Sequence, residues 1–196
     1  MTAPLQHPAL ILAALGAVSG VLGTNFLGLG YGDAPHLGVY MVLTGVWFGL
    51  VMAYGVWRWG APAWAAAATA FIATWIGWEV AVNVALQIDR SWLDASPIIQ
   101  TFKSYLAGFA AGAVGALLTW AGAAAYVPAL RRPRAAATIT STGALFGLLL
   151  PWTNNYDSGI VLLLPWQAAV AAMFGLNMAP ARAPEPPDAP AFAIER

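Results

Sequence analysis

Between Ala61 and Ile88 the chain runs through an apolar stretch that holds a single charged residue, Glu79. Such a run exceeds the roughly 20 residues that a helix needs to cross the hydrocarbon core of a bilayer. Backbone polar groups in hydrocarbon must be satisfied within their own segment, so the run predicts a transmembrane helix. Comparable runs lie on both sides of it. Hydrophobic residues make up 60% of the chain, charged residues 8%, and mean hydropathy is +0.70. A soluble domain carries about 25% charged residues, so this chain lacks the means to cover a water-facing surface. The expected fold class is an all-α integral membrane protein, a bundle of six transmembrane helices.

The spans are expected at about 8–30, 36–57, 62–88, 104–129, 135–150 and 158–178. The fifth is short and stops at Pro151, and the sixth is interrupted at Pro165. Asp89 to Lys103 is the longest interior loop; Trp92, Ile98, Ile99 and Phe102 place part of it in the interface as a short amphipathic segment. Residues 180–196 read as a disordered, Pro- and Ala-rich cytoplasmic tail. The first apolar run lacks a basic leader and a cleavage site, which reads as a retained span rather than a signal peptide.

Arg58, Arg131, Arg132, Arg134 and Arg182 fall on one side of these spans. Arg90 and Lys103 fall on the other, with Asp33, Asp89, Asp94 and Asp157. The positive-inside rule then puts both termini in the cytoplasm. The alanine and arginine bias points to a bacterium, hence to its inner (plasma) membrane.

Glu79, Asn83 and Gln87 recur at i, i+4, i+8, and on a helix they form one polar stripe, which Trp75 extends by a turn. A carboxylate at the bilayer centre costs at least ~2.5–3 kcal/mol and normally faces protein or a water-filled cavity. By residue count, Gln167 on the sixth span lies at the same depth, roughly 13 Å below the outer interface. Thr24 and Asn25 belong to the same outer half, and Trp78 flanks the stripe. Pro165 would free backbone carbonyls near Gln167. One reading is a solute or ion pathway built from Glu79, Asn83, Gln87, Gln167, Asn25, Thr24, Trp75 and Trp78. The other is a buried carboxylate that pairs with amides and fixes helix packing.

Four spans carry Gly-xxx-Gly pairs: Gly16/Gly20, Gly45/Gly49, Gly108/Gly112 and Gly143/Gly147. Lipid tails are as apolar as leucine, so helices associate through close packing that small residues permit. The same faces suit a homo-oligomer or contact with other membrane subunits. Thr44–Leu50 resembles Thr142–Leu148, and Trp78–Val82 resembles Trp166–Val170, which fits a 3+3 inverted repeat. Repetitive Ala/Gly/Leu/Trp helices also produce such matches by chance, and the spacing between the motifs differs in the two halves.

Net charge is zero, which leaves no nucleic-acid footprint. There is no cysteine, and the two histidines, His7 and His36, are assigned to opposite sides, so no metal, haem or other cofactor is expected. No nucleophile elbow, phosphate loop or paired carboxylates occur, and the chain is not expected to be an enzyme. Two functions stay open: a channel or transporter for a small solute or ion, and a non-catalytic accessory or scaffold subunit of a larger membrane complex. The lipid bilayer is the partner common to both.

Overall fold

The computed structural model of the protein describes residues 7–25, 43–89, 96–156 and 158–178. Those residues form seven α-helices and no strand: α1 (Pro8–Asn25), α2 (Leu43–Gly55), α3 (Trp64–Asp89), α4 (Pro97–Ala124), α5 (Pro133–Gly147), α6 (Leu150–Tyr156) and α7 (Ile160–Met178). Four stretches are long and apolar enough to cross a membrane: Trp64–Asp89, Pro97–Ala124, Pro133–Thr153 and Ile160–Met178. The helix Pro8–Thr24 is apolar but shorter. Residues 26–42, which include the end of the first expected span and the start of the second, lie outside the described residues, as do Arg90, Trp92, Asp157 and the 180–196 tail.

Several expected boundaries shift for identifiable reasons. The fourth helix starts at Pro97, not near residue 104, because Ser96 caps it: its hydroxyl accepts from the Ile99 N–H, and Pro97 needs no partner at the first turn. Ile98, Ile99 and Phe102 therefore belong to α4 itself, not to a separate interfacial segment. So does Lys103, which is buried in the second turn. At its other end α4 stops at Ala124, where Arg131 donates from Nε to the Ala124 carbonyl (3.0 Å) and from a terminal nitrogen to the Ala125 carbonyl (2.8 Å). Trp120 adds an indole bond to the Leu130 carbonyl at 2.8 Å. These bonds satisfy carbonyls that a helix end leaves bare.

Pro151 does not stop the chain. It sits at the start of α6, after a tightened turn in which Leu148 and Leu149 bond back to Leu145 and Phe146. The segment from Trp152 to Tyr156, which falls between the fifth and sixth expected spans, is helical. Pro165 likewise lies inside an unbroken α7. The carbonyl it releases is that of Val161, four residues back and about 9 Å along the axis from Gln167.

α1 packs on α7 and α2, α3 on α2 and α4, and α5 on α4 and α7; α2 also meets α7. Glycines set these approaches. A Cβ on Gly108 would fall within the Gly147 carbonyl oxygen, and one on Gly112 within that of Gly143. On the other side, Gly16 and Gly20 lie against the α7 backbone at Gln167 and Leu164, and Gly175 lies against Ala9. Gly45 and Gly49 receive the rings of Trp75, Trp78 and Phe71 from α3. Each Gly-xxx-Gly pair read from the sequence thus marks a close contact.

Gly55 differs, since its nearest neighbour is the flexible tip of Leu12 at 3.0 Å. Gly112→Ala is expected to cost about 1–3 kcal/mol through overpacking against a backbone that cannot yield. Gly55→Ala should be close to neutral. Thermal unfolding of the detergent-solubilised variants checks the pair: equal melting temperatures would contradict the backbone contact.

Candidate functional site: a cavity between α3, α4 and α7

The small face of α4 does more than pack. Ser104, Ala107, Ala111, Gly115 and Thr119 recur at i, i+3, i+4 spacing and, with Gly108 and Gly112, line a cavity of about 450 Å³. That volume falls within the roughly 300–1,000 Å³ of small-molecule sites. Ala81 and Ala85 of α3 also line it, beside Trp78, Val82 and Leu86, with Ala81 close to Gly115; α7 contributes Leu162, Leu163 and Trp166. Alanines and glycines on two walls leave volume that leucines would fill.

The polar groups are confined to the two ends. At one end are Asp89, Ser104, Thr153 and Ser158; at the other are Thr74 and Thr119. Thr74 and Asp89 are fifteen residues apart on α3, and so are Ser104 and Thr119 on α4, which makes the cavity about 22 Å long. Asp89 Oδ1 accepts from Gln100 Nε2 at 2.9 Å, which ties the end of α3 to the start of α4. Thr74 donates to the Ala70 carbonyl at 2.7 Å.

Three aromatic rings, Phe48, Trp78 and Trp166, gather on the wall toward the Thr74 end. Trp166 meets Phe48 edge-on at 5.6 Å and Trp78 at 6.4 Å between centroids. Its indole N–H donates to the Gly143 carbonyl at 2.9 Å and so fixes the ring. The Trp78 Nε1 is buried and has no hydrogen-bond partner.

The residues expected from the sequence divide into three places. Trp78 lines the cavity. Glu79, Asn83 and Gln87 do not. Glu79 lies 100° around α3 from Trp78, and Asn83 and Gln87 turn further, toward the exposed Ile76 and Val80. Glu79 and Asn83 are half-buried and joined, with Asn83 Nδ2 donating to the Glu79 carbonyl at 2.8 Å; Gln87 is exposed. Trp75 packs on Phe71 and Gly45, between stripe and cavity. Thr24 bonds back to the Gly20 carbonyl at 2.8 Å. Asn25 is the last residue of α1. Among the described residues no group of three His, Asp or Glu converges to hold a metal.

Gln167 is fully buried, and it faces α1 rather than the stripe. Its amide meets the Ser19 hydroxyl, which also lies 2.8 Å from the Gly16 carbonyl. One hydroxyl proton cannot serve both acceptors. The consistent assignment has Ser19 donating to Gly16 and accepting from the Gln167 NH₂, since amide orientation is set by the network. Either way Gln167 keeps unmet hydrogen-bonding capacity at a closely packed helix crossing.

No family model, no curated protein and no solved structure matches this chain.

Ser19, Thr74 and Ser104 are not among the residues that the polar stripe singles out, yet each has a local signal in the sequence. Ser19 shares the face of Gly16 and Gly20, Thr74 lies one turn before Trp78, and Ser104 opens the small face of α4. Small polar residues inside small-residue stripes mark buried contacts more reliably here than the large amides do.

Ser19→Ala should cost about 1–3 kcal/mol by leaving Gln167 without its partner, whereas Ser19→Ala with Gln167→Leu should recover most of that loss. A double-mutant cycle by thermal unfolding measures it. Additive effects would mean that the pair is not coupled.

Proposed function

We propose that this chain is a six-span protein of a bacterial inner membrane, with both termini cytoplasmic, that binds a small molecule in the α3–α4–α7 cavity for transport. The observation that carries the reading is the cavity itself: 450 Å³ walled by small apolar residues, with polar groups at its two ends. The Phe48, Trp78 and Trp166 rings gathered toward the Thr74 end supply apolar surface that suits holding a bound molecule. The pathway is therefore assigned to the Trp78 face of α3 and not to the Glu79 stripe.

Charge and contacts support the topology. Arg131, Arg132 and Arg134 gather between α4 and α5, and Gly60, beside Arg58, approaches Val127 and Met178, so these cations share one end. A 3+3 repeat also draws support. Gly45 receives the Trp78 ring, and the Gly143 carbonyl receives the Trp166 indole N–H, as paired motifs in two related halves would. Trp78 and Trp166 meet each other, which suits residues beside a two-fold axis in the membrane plane.

Ala85 and Ala111 stand on opposing cavity walls, and neither is fully buried by packing. Ala85→Phe and Ala111→Phe are expected to lower ligand retained by the purified protein about tenfold or more, a loss of at least ~1.4 kcal/mol. Native mass spectrometry of protein taken from its own membranes measures retention. Glu79→Gln should leave it unchanged. A loss in Glu79→Gln with none in the alanine variants would return the pathway to the stripe.

A further inference from the structure

The end of α2 has a feature that helix packing does not use. From Leu43 to Gly55 the helix carries no charged residue, and Leu50, Tyr54 and then Trp57 recur at i, i+4, i+7, all exposed. Lipid tails are as apolar as such a stripe, so in a membrane it rests against acyl chains.

Beyond Gly55 the chain widens into a π-turn, Val56–Gly60, closed by the Ala61 N–H on the Val56 carbonyl at 2.7 Å. In an α-helix residues five apart point about 140° from each other. Bonds between residues five apart bring them toward one face, and here Trp59 meets Tyr54 edge-on at 5.6 Å between centroids. The Arg58 guanidinium carbon lies 5.6 Å from the centroid of the Trp59 ring. That is within the roughly 6 Å over which a ring face attracts a cation. The π-turn thus sets a ring-held guanidinium at the end of the exposed stripe.

The surroundings fit a lipid headgroup. Trp57 and Trp64 flank Arg58 in the chain and are both exposed, and exposed tryptophans collect at headgroup depth. Arg58, the Tyr54 hydroxyl and the Trp57 indole all offer hydrogen-bond donors, which a phosphate diester can accept. Arg131, Arg132 and Arg134 lie at the same end of the bundle. Arg131 commits two nitrogens to the Ala124 and Ala125 carbonyls but keeps its charge. Four guanidinium groups favour a net negative headgroup over a zwitterionic one, whose ammonium cancels its phosphate.

We propose that the π-turn at the end of α2 holds an anionic phospholipid, its phosphate on Arg58, Tyr54 and Trp57 and a chain along the Leu50–Trp57 stripe. The assignment rests on the chain spanning a membrane and is independent of the α3–α4–α7 cavity.

Full-length protein in detergent is titrated with phosphatidylglycerol or phosphatidylcholine of identical chains, and native mass spectrometry counts the bound lipid. Wild type is expected to bind phosphatidylglycerol about tenfold more tightly, and Arg58→Gln should remove about fivefold of that margin. Arg58→Lys keeps the charge without the planar fork and should lose most of the same amount. Arg132→Gln and Arg134→Gln act only through the screened field and should each remove about twofold or less. Ala111→Phe, in the cavity, should leave the margin intact.

Equal affinity of the wild type for the two lipids would overturn the anionic class. Equal losses in Arg58→Gln, Arg132→Gln and Arg134→Gln would mean a diffuse field and overturn the site. A margin lost in Ala111→Phe but kept in Arg58→Gln would move the lipid to the cavity. The 180–196 tail carries Glu185, Asp188 and Glu195. A margin that emerges only with Glu185→Gln, Asp188→Asn and Glu195→Gln combined would make the tail the occupant and overturn the lipid.

Discussion

Backbone-to-backbone approach at glycine is the interaction on which the rest depends. Gly108 and Gly112 of α4 lie against Gly147 and Gly143 of α5, and Gly16 and Gly20 of α1 lie against the backbone of α7. In water such helices could associate by hiding apolar surface. In lipid that gain is absent, and much of the attraction comes from dispersion contacts, which lose about a quarter to a half of their strength over a gap of 0.5–1 Å. A single methyl group at these crossings separates the axes. Every other feature, including the position of the aromatic rings, assumes that these axes stay close.

The cavity is a by-product of the same chemistry, used differently. One face of α4 is small throughout, from Ser104 to Thr119. Where α5 comes down onto it, smallness produces contact. Between these contacts the same smallness leaves space, lined also by Trp78, Trp166 and Phe48. Gly108 and Gly112 serve both purposes. A chain of leucines along α4 would be equally apolar and equally helical, and it would have neither the crossing nor the cavity.

Buried polarity follows a rule of size. Ser19, Thr44, Thr74, Ser104 and Thr119 are all buried, and several bond to a helix carbonyl: Ser19 to Gly16, Thr44 to Gly23, Thr74 to Ala70. A hydroxyl can satisfy itself against a backbone oxygen one turn away or on a neighbour without leaving the close contact. A carboxylate or a long amide cannot do so as compactly. Glu79, Asn83 and Gln87 accordingly stand on the flank of α3, and the buried exception, Gln167, needs Ser19 from another helix.

Helicity, apolar character and the identity of the close-packing residues were determined by the sequence, because each depends on composition and spacing within one segment. Glycines four apart share a face whatever surrounds them. Caps such as Ser96 before Pro97 were equally local, although the apolar residues that follow them suggested an interface rather than a helix. The candidate site was not legible in this way. Glu79, Asn83 and Gln87 do share a face, but periodicity says which residues point together and not toward what. Only the tertiary structure decided that the neighbouring Trp78 face looks into the cavity while the stripe looks away. The reason is that a helix's rotation about its own axis is fixed by its neighbours, here by Gly45 against Trp75 and Trp78, and by Gly77 against Gly115.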